Sequence, residues 1–412
     1  MNKNNKKKVF VMMSGGVDSS VAALLLKKQE YDVIGVFMRS YNIDGCQERD
    51  AEDARRVAEK LNIPFYVWDF EEEYKKKVVE YMIDGYRQGI TPNPDVMCNK
   101  EIKFGLFLKR ALETGANFVA SGHYVRLSRI AFRKQHNFLP ARKFASLSPR
   151  HSSLCSETKL AGLRDVPRGN PASPSFSLFI AKDKNKDQSY FLWTLTQKQL
   201  KHCLFPIGDY LKSETREIAR KAGLPTADKK DSQGICFLGK VTLEDFLNQY
   251  IPEKRGLVLS ASGEVFGEHK GAHFYTIGQR HLDIKHQASS TKGNINTKPH
   301  YVAEKDIRKN TLIIAEGSDN PALYKKEIKL MDVNFINSDS RFHAYRQAGK
   351  IQESRILARV RYRQPLASAR LDFSDDLCCN LIFDEPQKFM ASGQSAVFYA
   401  DDGEMLGGGI IK

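Results

Sequence analysis

Long apolar runs and patterned cysteines are both missing from this sequence. No stretch approaches the roughly 20 apolar residues that a membrane-spanning helix needs, and MNKNNKKK leads into a short apolar segment without a signal-peptide core. The seven cysteines show neither zinc-ligand spacing nor a CxxC pair, which argues against a zinc site or a disulfide scaffold. We therefore expect a cytoplasmic protein without a membrane segment, and we assign no metal-ligating residue.

Positive charge is in excess, but it is unevenly placed. The 412 residues carry a net charge of +15. Between Arg126 and Arg168 there are ten Lys or Arg and only two acids, and the N-terminal tail adds four Lys. The charge is therefore weak support for a nucleic-acid partner, because most of it lies in a tail and in a segment that has the character of an insertion.

The first third of the chain alternates apolar runs with helical segments. This order is typical of βαβ units on a parallel sheet. The predicted strands are Val9–Met13, Val33–Met38, Pro64–Phe70 and Phe118–Ser121, and the predicted helices are Ser19–Lys28, Ala51–Leu61 and Asn99–Thr114.

The rest of the chain predicts two further domains and two insertions. Irregular polar stretches at about 126–174 and 284–299 resemble insertions. Helices are predicted at Glu214–Ala222, with Ser213 as the N-cap, and at Thr242–Tyr250. Alternating runs at Ile356–Tyr362, Leu381–Phe383 and Ala396–Tyr399 indicate a small all-β domain. We predict an α/β protein with a parallel-sheet domain at 1–240, a central domain at 241–318 and a β-barrel at 319–412.

Residues Ser14–Ser20 read SGGVDSS between an apolar strand and a helix. Glycines let backbone N–H groups approach phosphate oxygens, and the helix N-terminus adds the positive end of its dipole. The segment lacks the lysine of GxxxxGK[ST] and the glycines of GxGxxG, so it predicts neither a P-loop NTPase nor a dehydrogenase. The string resembles the PP-loop of ATP pyrophosphatases, which split ATP between the α and β phosphates and leave an adenylated substrate.

The PP-loop resemblance implies an ATP site and a Mg²⁺ ion. Asp18 would help to hold the magnesium–pyrophosphate group. Met38 and Gly122 fall where such proteins contact the adenosine, although Met38 alone is also a candidate core residue. The implied nucleotide-binding residues are Met12, Met13, Ser14, Gly15, Gly16, Val17, Asp18, Ser19, Met38 and Gly122.

Two cysteines stand in sequence contexts unlike those of the other five. Cys98 follows a Pro-rich loop, starts a helix and lies beside Lys100, and both features lower a thiol pKa. Cys236 lies in a polar, glycine-containing loop where it could move between a sulfur donor and an acceptor. On these residues alone, two buried structural cysteines explain the pattern equally well. The other five cysteines are interpreted as structural.

A series of strings resembles the tRNA-specific 2-thiouridylases, in order and over nearly the whole chain. NPD occupies Asn93–Asp95 and is followed by CNKEIKF. The matching strings are Cys98–Phe104, Gly122–Tyr124, Lys186–Leu192, Asp231–Phe237, Ile277–Arg280, Arg361–Gln364 and Gly393–Tyr399.

This second resemblance implies adenylation followed by sulfur transfer. ATP would adenylate the C2 oxygen of a wobble uridine, and the products would be 2-thiouridine, AMP and pyrophosphate. Cys236 would carry a persulfide received from a cysteine desulfurase or a sulfur-relay protein. Cys98 would be the nucleophile that attacks the sulfur-bearing Cys236 and closes a transient disulfide, and Asp95 would move protons at the base.

The implied macromolecular partner is the anticodon loop of a tRNA. A base in such a loop can be splayed out without breaking a duplex, and it is selected by loop shape, phosphate contacts and stacking. The implied contacts to tRNA are Asn93, Pro94, Asp95, His123, Lys186, Asp187, Gln188, Arg361, Tyr362 and Gln394.

Two other interpretations remain open at this point. Another PP-loop ligase that modifies tRNA would share the ATP chemistry and need no cysteine. A non-catalytic tRNA-binding protein with a decayed nucleotide fold is the second. The insertion at 126–174 replaces a short hairpin of the family, but each doubling of a loop costs only about 0.6 kcal/mol, so we expect the fold to persist.

Overall fold

The computed structural model describes residues 6–43, 45, 47–130, 175–231, 234–280, 282, 285–286, 298–337, 355–373 and 379–412. Apart from residues 129, 130 and 175, the described residues belong to one compact unit. Both predicted insertions lie largely outside the described residues. The first begins later than predicted, because Arg126–Ile130 forms a regular strand.

A five-stranded parallel sheet, in the order β3-β2-β1-β4-β7, forms the N-terminal part. Because the chain runs outward from β1 to β3 and then returns to β4, the connections change direction between β1 and β4. Parallel sheets bind ligands at the carboxyl ends of the strands at such a point. The first seven strands are β1 (Lys8–Met12), β2 (Asp32–Arg39), β3 (Phe65–Asp69), β4 (Phe118–Ala120), β5 (Arg126–Ile130), β6 (Ser175–Phe179) and β7 (Cys203–Leu204).

Nine α-helices are described, and two of the helical stretches contain π segments. In the π segments each N–H bonds the carbonyl five residues earlier, a geometry that is often found at functional sites. Within the described residues, no helix is both long and apolar enough to cross a membrane. The α-helices are α1 (Val17–Lys28), α2 (Gln47–Lys60), α3 (Glu71–Tyr74), α4 (Glu80–Arg87), α5 (Pro94–Met97), α6 (Leu108–Glu113), α7 (Gln197–Leu200), α8 (Lys212–Lys221) and α9 (Leu243–Asn248), and the π segments are Lys75–Val79 and Cys98–Phe107.

Helix α8 begins earlier than the sequence predicts. Ser213 is not the N-cap, and the first helical residue is Lys212. Asp183 accepts the backbone N–H of Lys212 at 3.0 Å, and the side chain of Glu214 accepts that of Leu211 at 2.6 Å. Two carboxylates therefore satisfy the first turn of the helix. This start places the Lys212 side chain beside the loop between β1 and α1 (residues 13–16), which we call the nucleotide loop after the ATP site predicted there.

The second half of the chain is built from β-strands. A five-stranded sheet has the order β10-β9-β8-β12-β11, and six later strands close into a barrel through pairing of β13 with β18. The predicted fold class is confirmed. These strands are β8 (Gly256–Ser260), β9 (Val265–His269), β10 (Lys285–His286), β11 (His300–Asp306), β12 (Thr311–Glu316), β13 (Tyr324–Phe335), β14 (Ile356–Arg359), β15 (Ala367–Phe373), β16 (Cys379–Lys388), β17 (Ser395–Tyr399) and β18 (Glu404–Ile411).

A buried polar network fastens the barrel to the segment that follows β6. Arg359 on β14 pairs with Asp187, and both side chains are buried. Arg359 also bonds Ser189 at 3.0 Å and the hydroxyl of Tyr399. A buried charge is tolerated only when it is paired and hydrogen-bonded. The network therefore fixes residues 187–189 relative to the barrel.

Candidate active site

Serine side chains hydrogen-bond the backbone of the turn between β1 and α1 and hold it in place. Gly15 has a φ of 71°, which only glycine adopts without strain. Ser19 Oγ accepts the backbone N–H of Ser14 at 3.1 Å and donates to the Gly16 carbonyl at 3.2 Å. Ser20 Oγ donates to the same carbonyl at 2.7 Å. The result is a tight loop at the N-terminus of a helix, which favours an anion.

Gly122, just after β4, lies against the start of α1. A Cβ at this position would stand 2.7 Å from the backbone nitrogen of Ser19 and 2.8 Å from the carbonyl carbon of Asp18. Met38 is half-buried at the same edge of the sheet. The side chains of Met12 and Met13 are buried in the core, so only their backbone can face a ligand.

Asp18 is paired with a lysine from a distant helix. The Nζ of Lys212 lies 2.8 Å from each carboxylate oxygen of Asp18, and the Tyr124 hydroxyl donates to Asp18 Oδ1 at 2.9 Å. Lys212 is largely buried. Among the described residues, no group of three His, Cys, Asp or Glu side chains is arranged to hold a metal ion. The loop between β1 and α1 has no lysine of its own, and in the structure Lys212 from α8 lies beside it.

Asp231, which precedes the loop that carries Cys236, forms ion pairs with three cationic side chains. Its oxygens lie 2.7 Å from Lys186 Nζ, 2.8 Å from Lys212 Nζ and 2.8 Å from Arg216. Partial burial raises the pKa of this carboxyl, but the bonds from Lys186 and Lys212 outweigh burial and lower the pKa to about 2. Since Lys212 also holds Asp18, it joins the nucleotide loop to the loop that carries Cys236.

We expect acid to weaken this junction. The pKa of Asp231 falls from its ordinary value of 3.8 to about 2 in the folded protein, so its stabilisation is complete above about pH 4 and is lost as the pH falls towards 2. Because the site is partly exposed, we expect a contribution of about 1–2 kcal/mol. Asp231→Asn should therefore have a lower Tm at pH 7 and a shallower dependence of Tm on acid, measured by thermal unfolding between pH 7 and pH 2.5.

The matched control for this prediction is Asp228→Asn. Asp228 is exposed and pairs with Arg220 at the surface. Its Tm profile should follow that of the wild type, since exposed ion pairs contribute little. An Asp231→Asn profile parallel to that of the wild type would contradict the junction.

Cys98 lies inside a continuous helix, where α5 passes into the second π segment. Asn93 caps α5 by accepting the Val96 N–H at 3.2 Å, so the helix N-terminus precedes Cys98 by about one turn. The i→i+5 bonding brings residues five apart to the same side of the helix. In keeping with this, a Cβ on Gly105 would stand 2.8 Å from the carbonyl oxygen of Lys100. Lys103, five residues after Cys98, therefore follows it on one face.

Burial governs the ionisation of Cys98. Desolvation raises the pKa of its thiol to about 12, against the opposing charge of Lys103 and a hydrogen bond from Tyr74. Lys100 is exposed, and its Nζ approaches Glu101 at 4.0 Å. The predicted low pKa is therefore wrong, because burial outweighs the effect of the nearby cation, which is Lys103 instead of Lys100. At neutral pH Cys98 is a thiol that needs help to ionise.

Tyr74 connects Cys98 with Cys236. Its hydroxyl lies 3.2 Å from Cys236 Sγ, and Tyr74 is close enough to Cys98 to lower the pKa of that thiol. The Tyr74 side chain is buried, and its ring meets Phe237 edge-on at 5.9 Å between centroids. Cys98 and Cys236 are both free thiols. Two cysteines from distant parts of the chain therefore meet at one hydroxyl.

Cys236 combines an exposed surface with a crowded sulfur. The residue is exposed to solvent. Surrounding atoms nevertheless desolvate the thiol enough to raise its pKa, with a further rise from the charge of Asp95. Accessibility to a partner follows from the exposed surface, whereas the pKa reflects the density of atoms around the sulfur.

Asp95 faces the same pair of thiols from α5. Burial raises the pKa of its carboxyl, and the charge of Lys103 opposes the rise. Its negative charge in turn raises the pKa of both Cys98 and Cys236. A carboxyl with a raised pKa accepts a proton more readily near neutral pH. Asp95, Lys103, Tyr74 and the two thiols thus form one cluster.

His123 and Asp187, which the sequence predicts as tRNA contacts, lie inside the protein. His123 Nδ1 is 2.8 Å from Ser121 Oγ, and burial holds the pKa of the imidazole well below its usual value. Asp187 is occupied by Arg359. Neither side chain is available to a nucleic acid here, because both strings fold inward against the core.

The other predicted contacts beyond the NPD string are half-buried, and each has a partner within the protein. The side-chain amide of Gln394 connects the barrel to the loop before Asn93 by hydrogen bonds. The pairs are Lys186 with Asp231 at 2.7 Å, Gln188 with the Tyr124 N–H at 3.0 Å, Arg361 with the Ile277 carbonyl, Tyr362 with the Phe191 ring at 4.6 Å, and Gln394 with the Thr91 and Pro92 carbonyls at 3.1 and 3.3 Å.

Sequence reasoning missed Tyr74, Lys103 and Lys212. Lys103 lies within the CNKEIKF string, and its spacing of five from Cys98 would indicate it only if a π segment were expected. Tyr74 and Lys212 carry no local signal. Their contacts join positions 162 and 194 residues apart, which periodicity cannot reveal.

Family models match nearly the whole chain. The model described as the tRNA methyl transferase HUP domain matches residues 7–145 and 164–240. The tRNA methyl transferase PRC-barrel domain matches residues 244–316, and the aminomethyltransferase beta-barrel domain matches residues 325–411. The matches begin and end close to the three groups of elements described above.

Full-length relatives share one name, tRNA-specific 2-thiouridylase MnmA. The protein from Geobacillus thermodenitrificans is 40% identical over 420 residues, covering 100% of this chain and 96% of its own. That from Bacillus licheniformis is 41% identical, covering 98% and 94%. That from Christiangramia forsetii is 37% identical, covering 98% and 100%. The resemblance first seen in the separate strings is confirmed, and the chain belongs to the tRNA-specific 2-thiouridylase family.

Proposed function

We propose that this chain is a tRNA-uridine 2-sulfurtransferase. It adenylates the C2 oxygen of the wobble uridine with ATP and replaces that oxygen with sulfur from a persulfide on Cys236, giving 2-thiouridine, AMP and pyrophosphate. The observation that carries the proposal is the meeting of Cys98 and Cys236 at the Tyr74 hydroxyl. A PP-loop ligase without sulfur chemistry has no need for such a pair. The names of the relatives support the same substrate and product.

ATP fits the loop between β1 and α1 on chemical grounds. The loop offers hydroxyls and a helix N-terminus, and Gly122 lets the end of β4 pack directly against the start of that helix. Asp18 would bind Mg²⁺, which prefers carboxylate and phosphate oxygens and neutralises the charge of the departing pyrophosphate when bound. Lys212 keeps a second positive charge at the loop. Adenylation turns the C2 oxygen into a leaving group, AMP.

The sulfur step uses the three residues beside Tyr74. Cys236 carries the persulfide at an exposed position, where a cysteine desulfurase or a sulfur-relay protein can reach it. The terminal sulfur attacks C2, directly or as released hydrosulfide. Cys98 attacks Cys236 Sγ and closes a disulfide, which external thiols reduce. Asp95, whose carboxyl pKa is raised by burial, accepts and returns protons at the base.

The anticodon loop of tRNA is the proposed binding partner. Asn93–Asp95 would line the base pocket, while Lys186, Gln188, Arg361, Tyr362 and Gln394 would meet the loop by charge, hydrogen bonding and stacking. His123 and Asp187 support this surface from within. We also propose a cytoplasmic location and three domains, with limits at 1–240, 241–318 and 319–412.

Nucleoside analysis tests the proposed function. The protein is incubated with ATP, Mg²⁺, a persulfide source and unmodified tRNA, and the digested nucleosides are examined by mass spectrometry. The expected product is 2-thiouridine at the wobble position, formed only when ATP is present. Well-folded protein that yields a uridine derivative without sulfur would favour another PP-loop ligase. Protein that binds tRNA without releasing pyrophosphate would contradict enzymatic function.

A further inference from the structure

Tyr74 is a buried polar residue whose hydroxyl has both thiols as partners. It ends α3, and its ring packs edge-on against Phe237, the neighbour of Cys236 in the chain. The hydroxyl is 3.2 Å from Cys236 Sγ, and Tyr74 also lies close enough to Cys98 to lower the pKa of that thiol. A hydroxyl placed between two sulfurs can donate to only one of them at a time. Which sulfur receives that bond depends on which one carries the negative charge.

Lys103 is the cation that faces Cys98, Cys236 and Asp95. It lies five residues after Cys98 within a segment of i→i+5 hydrogen bonds, which brings the two residues to one side of the helix. The charged and titratable groups facing the thiols are Asp95 from α5, Lys103 from the π segment and Tyr74 from α3. Lys103 is half-buried, and its positive charge opposes the rise of pKa at Cys98, Cys236 and Asp95.

We propose that Tyr74 is a catalytic residue of the sulfur transfer, donating its hydrogen bond to whichever thiol sulfur is negatively charged while Lys103 supplies the compensating positive charge. The inference rests on the proposed function. It adds two residues to the reaction and replaces the helix terminus and Lys100 as the source of thiol activation. Burial raises the pKa of the Tyr74 phenol well above its usual value, so the phenol stays protonated and acts as a donor.

These residues act when Cys98 attacks the persulfide on Cys236. Asp95 takes the proton from the Cys98 thiol, and the resulting thiolate attacks Sγ of the Cys236 persulfide. The bond between Cys98 Sγ and Cys236 Sγ forms as the bond from Cys236 Sγ to the outer sulfur breaks. The outer sulfur leaves with the bonding electron pair, either as hydrosulfide that then attacks C2 and displaces AMP, or as the 2-thio group of a uridine that it has already attacked with loss of AMP. Asp95 gives up its proton to the departing group or to solvent. Tyr74 stabilises the Cys98 thiolate before the attack, and external thiols later reduce the disulfide.

The test measures the ionisation of Cys236 in Tyr74→Phe. Iodoacetamide alkylation of Cys236 is followed from pH 6 to pH 10 by mass spectrometry of its peptide, in the full-length protein without tRNA. Loss of a hydrogen bond to a thiolate should raise the thiol pKa and slow alkylation at pH 7 about tenfold. Lys103→Met should shift the profile in the same direction. A Tyr74→Phe profile identical to that of the wild type would overturn the proposal.

Two matched variants serve as controls. Tyr41 packs on the same ring, Phe237, with centroids 6.2 Å apart, but its hydroxyl bonds Tyr250 instead of a thiol. Lys100 is the exposed neighbour of Lys103 in the same helix. Tyr41→Phe and Lys100→Met should leave the alkylation profile unchanged. A shift in these two equal to that in Tyr74→Phe and Lys103→Met would also overturn the proposal, since it would show a general disturbance of the fold.

A second measurement follows a single turnover of sulfur from protein preloaded with persulfide. Tyr74→Phe should transfer sulfur to tRNA about tenfold more slowly while pyrophosphate release is unchanged, as expected for a group that acts only in the sulfur step. Equal loss of both activities would contradict the assigned step. If the wild type transfers no sulfur, the proposed function fails and with it the catalytic role, whereas the alkylation profile still shows whether Tyr74 stabilises the Cys236 thiolate.

Discussion

Cys236→Ser is expected to abolish 2-thiouridine formation, a loss of about 10³-fold or more, because serine cannot carry a persulfide. Cys98→Ser should cause a similar loss, since no disulfide can then form to release the outer sulfur. Pyrophosphate release that depends on tRNA should persist in both variants, because the nucleotide loop is untouched. Nucleoside mass spectrometry and a pyrophosphate assay on the same samples measure the two effects.

Cys203→Ser is the matched control for these variants. Cys203 is buried, its sulfur donates to the Gln199 carbonyl at 3.2 Å, and burial raises its thiol pKa. A serine hydroxyl can make the same hydrogen bond, so activity should remain close to that of the wild type. Substantial 2-thiouridine from either Cys98→Ser or Cys236→Ser would remove that cysteine from the mechanism.

Asp18→Asn is expected to lower pyrophosphate release by about 10²-fold or more. The carboxylate lies at the nucleotide loop, where its charge is held by Lys212 and Tyr124. An amide of the same shape loses the negative charge that Mg²⁺ requires and leaves Lys212 paired with the carboxylate of Asp231. The rate of pyrophosphate release with saturating tRNA and a range of ATP concentrations measures the effect.

Asp32→Asn provides the comparison for this variant. Asp32 begins β2 at an exposed position on the same sheet, at the amino end, away from the loop. It should release pyrophosphate at the rate of the wild type. Loading of persulfide onto Cys236 should be equal in Asp18→Asn, Asp32→Asn and the wild type, because that step needs no ATP. Wild-type pyrophosphate release by Asp18→Asn would exclude a role for Asp18 at the phosphates.

Features that depend on neighbouring residues were predictable from the sequence. The apolar run Val9–Met13 matches β1 at Lys8–Met12 within one residue, and the helix after the glycines matches α1. Such elements follow from local periodicity and from glycine between a strand and a helix. The barrel strands were recognised in part for the same reason, since β17 reproduces the run Ala396–Tyr399.

Features that depend on packing were not predictable in this way. The π segment at Cys98–Phe107 turns Lys103 instead of Lys100 towards the thiol, although both are lysines close to Cys98. Burial reversed the sign of the expected pKa change at Cys98, because desolvation exceeds the effect of any nearby cation. The partnership of Cys98 with Cys236 came from the family resemblance, since two single cysteines carry no periodic signal.

The central claim is that one chain couples ATP activation of uridine to sulfur carried on Cys236, and isotope transfer tests it most directly. Protein loaded with a ³⁴S persulfide on Cys236 is freed of excess sulfide and mixed with unmodified tRNA, ATP and Mg²⁺ for a single turnover. The account predicts ³⁴S in 2-thiouridine and a matching amount of Cys98–Cys236 disulfide, with neither formed when ATP is omitted. A 2-thiouridine without the label, or label transfer that is independent of ATP, would contradict it.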